Sequence, residues 1–340
     1  MRDCHLQVAK YQREEVRLPN EARKDIFARA KTNRKRLKDG LAANEDPTPI
    51  GQRTQGSYAM RTMIVEKDED YDIDDGVYFK KDDLVGPKGG DMTPLAARDM
   101  VWDALYDKRF TIPPEVLKNC VRVYYNEGYH IDVPVYRHVI VKDAWTGKET
   151  DHYELASSNW KRSDALAVTS WFQGFNKERC ANASKDGDKG QFVEVVRLLK
   201  AFARSRTSWK GKISNGFVIS KLVADLWAGV ADRDDKTLRN VAKAIRDKLS
   251  WSQAVKHPVL DENIIEEGNA KAKFLHDRLD EKLKHLDVLD EGDCDHEKAM
   301  SAWDNFFNTD WFSQQPDPDG AKSLTQKVGP AIKRGETRYA

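Results

Sequence analysis

The chain has 340 residues and a third of them are charged, yet 57 Lys and Arg nearly cancel 56 Asp and Glu, leaving a net charge of +1. That balance excludes a protein that holds nucleic acid through overall basicity, although a local basic patch is still compatible with it. No apolar run approaches the roughly 18 residues of a membrane-spanning helix, and the opening MRDCHLQVAKYQREE lacks an apolar signal core, so a cytoplasmic location is expected, with no membrane partner. The four cysteines, Cys4, Cys120, Cys180 and Cys294, form no CxxC pair and have no histidines at zinc spacing. Reduced, incidental thiols are expected.

In chain order, residues 20–44 predict a helix with Ile26, Phe27, Ala30, Leu37 and Leu41 on one side and Asn20 as its N-cap. EDPTPIGQRTQGS reads as turn-rich, and residues 57–66 as the start of a helix or short element. DYDIDDGVYF alternates apolar and acidic residues, the period of a strand. A Gly- and Pro-rich loop (80–94) leads to the amphipathic helix LAARDMVWDALYDKRF. Val121, Val123 and Tyr125, a turn at Asn126–Gly128, and YHIDVPVYRHVIVKD predict a hairpin and a further strand, with HYELAS after the TGK turn. Residues 55–157 are thus expected to build an α/β region on an antiparallel or mixed sheet. Beyond Ser163, opened by a Ser-Asp cap, apolar residues recur every three to four positions as far as HEKAMSAWDNFF, which predicts a helical bundle. From Ser313 onward that period is lost and a flexible tail is expected.

Chemistry concentrates in TQGSYAMRTMIVEKDEDYDIDDGVYF, where five carboxylates fall between Asp68 and Asp74. Residues two apart on a strand share a face, so Asp72 and Asp74 project together. In HIDVPVY, Ile131, Val133 and Val135 would face the core and Asp132 the opposite side. If the two strands are neighbours, three carboxylates share one face. Such a set suits hard divalent cations and, with two ions, in-line phosphoryl or nucleotidyl transfer. Gly56 would let backbone N–H groups approach a phosphate, and Ser57 would add a hydroxyl donor. Asp68, Glu69, Asp70 and Asp75 are expected in a solvated loop or supporting the site from behind. His130 could support it too, but reads more simply as an ordinary strand residue.

QGSYAMRT, DYDIDDGVYF and HIDVPVYR, with ELASSNWKRSDALAVTSWF and VVRLLKAF further on, resemble the polymerase-β-like nucleotidyltransferase superfamily. Within it, the chain is similar to the bacterial cGAS/DncV-like nucleotidyltransferases (CD-NTases), over roughly residues 20–310. The resemblance implies a bilobed α+β fold: a nucleotidyltransferase core with a long N-terminal helix and a mixed β-sheet (1–160), a C-terminal helical bundle completing the nucleotide pocket (161–312), and a flexible tail (313–340). It implies that Asp72, Asp74 and Asp132 are the catalytic, metal-binding acids for two Mg²⁺ ions, with Mn²⁺ as a substitute. It places Gln55, Gly56, Ser57, Lys200 and Ser214 on the nucleotide and its triphosphate, and Asp261 against a base. From the residues alone, Lys200 would be a solvated bundle lysine; the resemblance reverses that.

The implied activity is synthesis of a cyclic di- or trinucleotide second messenger from ATP and GTP, with 3′,3′-cyclic GMP–AMP as the product expected first, for a downstream effector in anti-phage defence. The zinc insertion of the animal sensors is absent, so DNA activation is not implied. The small terminal residue Ala340 raises conjugation by an associated ubiquitin-like enzyme. Two rivals keep their place: a template-independent nucleotidyltransferase modifying an RNA, a protein or a small molecule, and a non-catalytic scaffold.

Overall fold

A computed structural model describes residues 1–65, 71–125, 129–180, 182–184 and 189–317. The expected acids Asp68, Glu69 and Asp70, the turn at 126–128, and the tail from 318 to Ala340 lie outside the described residues.

The chain opens with α1 (His5–Tyr11), a π-helical turn (Gln12–Val16) and the long α2 (Asn20–Ala43). Pro19 occupies the N-cap position of α2 and Asn20 is its first helical residue, which corrects the expected cap. Pro suits a helix start because its missing N–H would have no partner there. The buried stripe of α2 includes Ile26, Ala30, Leu37 and Leu41, as the spacing predicts. Then come β1 (Gly51–Gln55), the single turn α3 (Gly56–Ala59), β2 (Tyr71–Lys80) and α4 (Pro94–Leu105). Strands β3 (Glu115–Val116), β4 (Val121–Tyr125), β5 (Tyr129–Val133), β6 (Val135–Lys142), β7 (Glu149–Ala156) and β8 (Trp160–Arg162) complete the first half.

β1 lies in the stretch whose composition predicts a turn, and its five residues carry no strand pattern. It is a strand because it pairs antiparallel with β2, from Gly51↔Tyr78 to Gln55↔Asp74, so a tertiary ladder overrides local composition. β5 and β6 both run parallel to β2 at one constant register, from Tyr71↔Tyr129 to Lys80↔His138. Together they form one long neighbour of β2, interrupted at Pro134, which has no N–H for the ladder; its carbonyl accepts from Val77 N–H at 3.0 Å. β4 flanks β5 and β7 flanks β6, both antiparallel. The sheet is therefore mixed.

One face of the sheet is apolar. Val77, Phe79, Val121, Val123, Ile131 and Val133 pack there with Ala30, Leu37 and Leu41 of α2 and Val101 and Leu105 of α4. The helices cover that face and leave the other for the site.

The second half comprises α5 (Ala165–Arg179), α6 (Gln191–Arg204), α7 (Gly216–Asp225), α8 (Asp234–Trp251), a small β9–β10 ribbon (Val255–Lys256, Asn263–Ile265), α9 (Ala270–Leu283) and α10 (His296–Phe307). Asp164, Asn215, Asn269 and Asp295 cap four of these helices through their side chains. Their core includes Phe192, Leu198, Phe202, Leu238, Trp303 and Phe306, and it takes in Cys4, Val8, Tyr11 and Val16. The first sixteen residues thus pack with the helical half, although they were expected with the catalytic core. The segment after α10 stays attached: Phe312 is fully buried, and Asp304 accepts from the N–H groups of Phe312 and Ser313, both at 2.9 Å. No helix among the described residues is long and apolar enough to cross a membrane.

Candidate active site

The candidate site is a row of side chains across four adjacent strands. In register lie Gln55 on β1, Asp74 on β2, Asp132 on β5 and Arg122 on β4. Residues in one row of a sheet point to the same face. The next row on that face contains Asp72, His130 and Tyr124. The fold therefore puts the three expected acids on one surface, because β2 and β5 are parallel neighbours at a register that sets Asp74 beside Asp132.

A cavity of about 490 Å³ opens over this row, a volume suited to a small-molecule ligand. Gln55, Gly56, Asp74 and Asp132 line it, with Arg122, Tyr136 and the β3–β4 turn at Leu117–Cys120. Ala165 of α5 contributes from the helical side.

Each side chain has a distinct electrostatic setting. Burial, then the neighbouring Asp132 and Asp72, pushes the Asp74 carboxyl up to about 6. Such a group is costly alone and is relieved by a cation. Asp132 is held by Arg122 through two parallel bonds, Nε to Oδ1 at 2.7 Å and Nη2 to Oδ2 at 2.8 Å. His130 Nε2 contacts a carboxylate oxygen of Asp72, whose side chain is otherwise half exposed. His130 is thus a direct neighbour of an acid rather than an ordinary strand residue. Asp75 points to the opposite face, buried, and pairs with Arg34 of α2. It is not in a solvated loop; it fastens the long helix to the strand that carries the acids.

Gly56 adopts φ +60°, and a Cβ there would stand 2.1 Å from Asp74 Oδ2. Only glycine allows the β1–α3 corner to close on the acid. Gln55 was expected on a triphosphate. Its amide is committed within the protein: Nε2 donates to Tyr136 Oη and Oε1 accepts from Tyr78 Oη, each at 3.1 Å. The two tyrosine rings stack 4.7 Å apart at 9°, giving the cavity a rigid wall. Ser57 is partly exposed beside Gly56 but does not line the cavity.

The other expected residues lie apart. Lys200 is buried on α6, and its Nζ donates to the Thr62 carbonyl at 2.5 Å. Burial, then Arg197, draws its ammonium down to about 7. Arg197 Nε donates to the Arg61 carbonyl at 2.8 Å, and Gln173 of α5 to the Ala59 carbonyl at 3.2 Å. The helical half thus grips three carbonyls at the end of α3 and just after it, while Met60 and Ile64, which follow α3, join the helical core. Ser214 is buried with no hydrogen-bond partner for its Oγ among the described residues. Asp261 is exposed in the turn between β9 and β10 and does not line the cavity.

Sequence reasoning missed Arg122, Tyr136 and Cys120. Arg122 and Asp132 are equally far in sequence from Glu127 at the expected hairpin turn, so their cross-strand pairing could have been inferred. Cys120 is buried at the cavity edge, and burial, then Asp132, pushes its thiol above the usual range. Nothing in its spacing signals that position.

Residues 51–136 match the family model for the nucleotidyltransferase domain of cyclic GMP-AMP synthase DncV-like proteins. The chain carries a DncV-like nucleotidyltransferase domain. Solved structures with the same fold include a mutant form of the Vibrio cholerae di-nucleotide cyclase DncV, at 17% identity and a TM-score of 0.69, covering 90% of this chain and 95% of that one. The V. cholerae DncV cyclic AMP-GMP synthase in complex with the linear intermediate 5′ pppA(3′,5′)pG matches at 16% identity and a TM-score of 0.66, covering 90% and 96%. Escherichia coli MS115-1 CdnC with ATP matches at 16% identity and a TM-score of 0.64, covering 93% and 99%. These likenesses extend the shared α+β fold well beyond the matched nucleotidyltransferase domain, through the helical half.

Proposed function

We propose that this nucleotidyltransferase joins nucleoside triphosphates, ATP with GTP, into a cyclic di- or trinucleotide, with 3′,3′-cyclic GMP–AMP as the first candidate. The observation that carries the reading is the row Gln55–Asp74–Asp132 at the floor of the cavity, closed at one end by Gly56. The DncV structure with a linear dinucleotide supports the product class.

The donor set suits a hard cation such as Mg²⁺, since Asp72, Asp74 and Asp132 offer only carboxylate oxygens. Bound metal ions, two in this reading, would polarise the α-phosphate and stabilise the departing pyrophosphate. The protein's own residues do the rest. Asp132 orients the acceptor hydroxyl, and a carboxylate oxygen takes its proton as the hydroxyl oxygen bonds to the α-phosphorus of the donor and the bond to pyrophosphate breaks. Asp72 and Asp74 supply the negative charge that holds cation and triphosphate together. Gly56 and Ser57 shape the corner where the donor phosphates lie. Lys200 acts on that corner through the Thr62 carbonyl, and Ser214 offers the unpartnered hydroxyl on the helical side. A second transfer on the linear intermediate closes the ring. The product then serves as a second messenger for an effector in anti-phage defence.

The test is incubation of purified protein with four labelled nucleoside triphosphates and Mg²⁺, then phosphatase treatment and chromatography. A phosphatase-resistant product is expected, lost in the Asp72→Ala/Asp74→Ala variant. Omitting each nucleotide in turn names the bases. Label transferred to an added RNA or protein, with no small cyclic species, would overturn the reading.

A further inference from the structure

We propose that Arg122 is an internal counter-ion lock on Asp132, released when a cation arrives together with a polyphosphate chain. This rests on the nucleotidyltransferase reading of the same site and adds a residue and an order of binding to it.

The geometry is specific. Arg122 uses Nε and Nη2 on the two separate oxygens of Asp132, so no carboxylate oxygen is left without a guanidinium contact. The pair is set by the sheet, since the two residues face each other across β4 and β5. Arg122 also lines the cavity, so a ligand entering there meets it. Meanwhile Asp74, next in the row, forms no salt bridge among the described residues, and no cluster of three His, Cys, Asp or Glu side chains able to hold a metal ion occurs among them. Seated on Asp132, the arginine takes the place of a cation and removes one of the three acids from any ligand set.

A guanidinium does not lose its proton in a protein, so the lock opens only by exchange. The exchange partner must be an anion that accepts the same planar fork. A phosphate oxygen pair does so, as a carboxylate does. A metal-bound triphosphate brings both halves of the swap: phosphate oxygens for Arg122 and a divalent cation for Asp132. A free cation brings only one half and must leave the guanidinium unpaired. Metal and nucleotide are therefore coupled, each raising the affinity for the other by the same factor. Arg122 is in this scheme a counter-ion of Asp132 before the ligand enters and a triphosphate-binding residue once the exchange has taken place.

The experiment is a titration of the full-length protein with Mn²⁺ in the absence of nucleotide, followed by the electron paramagnetic resonance signal of the free ion. Arg122→Leu is expected to bind Mn²⁺ about tenfold or more tightly than the native chain, the scale of one charge-assisted bond. The double variant Arg122→Leu/Asp132→Asn is expected to lose that gain. A folded Arg122→Leu protein with unchanged or weaker Mn²⁺ affinity overturns the lock. Should Arg122→Leu fail to fold, Arg122→Lys decides: a lysine cannot fork across two oxygens, so an intermediate gain is expected, and no gain overturns the proposal. In parallel, binding of a fluorescent ATP analogue is measured with and without Mn²⁺. If the native chain binds no analogue even with Mn²⁺, the nucleotidyltransferase reading itself falls. If it binds while Mn²⁺ affinity is indifferent to Arg122, only the lock falls.

Discussion

At the scale of single residues, Gly56 shows how close tolerances make a site. Its positive φ and its 2.1 Å Cβ clearance from Asp74 Oδ2 act together. Gly56→Ala should displace the Asp74 carboxylate, lowering the proposed nucleotidyl transfer at least tenfold while costing only about 1–2 kcal/mol of stability, the scale of one strained residue. Product formation rates beside urea unfolding curves check this, and a variant with native rates would remove Gly56 from the site. That Asp72 and Asp74 share a face follows from a strand's period of two, which needs no tertiary information; that Asp132 stands beside Asp74 and that Gly56 closes on it depends on the strands that pair with β2. The contacts of Gln55 and Lys200 were not legible in the sequence. Whether an amide meets a phosphate or two tyrosine hydroxyls depends on the strand laid next to it. Lys200 sits in a run whose helical period reads directly, yet its partner is a carbonyl 138 positions earlier.

Among the elements, the segment from Ala59 to Thr62 is the joint between sheet and bundle. Gln173, Arg197 and Lys200 hold its carbonyls from two helices, and Arg61 sits within it at φ +61°, a conformation that a non-glycine residue adopts only under restraint. Arg197→Ala removes a charged donor from the Arg61 carbonyl. Hydrogen exchange around residues 57–65 should then accelerate while peptides from β5 and β6 stay protected, with about 1–3 kcal/mol lost in stability. Unchanged exchange in that segment would show that the grip is incidental. β1 belongs to this scale as well. A stretch read as turn became a strand because β2 offers it a free edge, and that strand delivers Gln55 and Gly56 to the acids.

Over the whole molecule, the N-terminal residues clasp the helical half, through contacts that do not line the cavity. Asp235, fully buried in the first turn of α8, accepts from the Cys4 N–H at 2.9 Å and pairs with Arg233. Burial alone would raise this carboxyl, but the Arg233 bond and the Cys4 N–H outweigh it and hold the group below the usual carboxylate range. A carboxyl lowered by folding stabilises the protein above its unfolded pKa, and that contribution is lost as pH falls through the folded value. Asp235→Asn should therefore cost about 1–3 kcal/mol at pH 7, with the difference from the native chain shrinking as the solution is acidified below about pH 4. Urea unfolding at both pH values measures it. A difference independent of pH would show that the charge is not what holds the clasp.

The sequence by itself determined the two-part organisation, the strand that bears Asp72 and Asp74, the face on which Asp132 stands, and the helical character of the second half. Each rests on periodicity, which is local and survives without knowledge of neighbours. Only the tertiary structure decided which strands touch, at what register, and which charges meet. It set Asp74 beside Asp132, put Arg122 on Asp132 and Arg34 on Asp75, and turned Lys200 toward Thr62. Those pairings join residues from 10 to 138 positions apart. They follow from the need to match every buried charge and backbone group at once, which no single segment can encode.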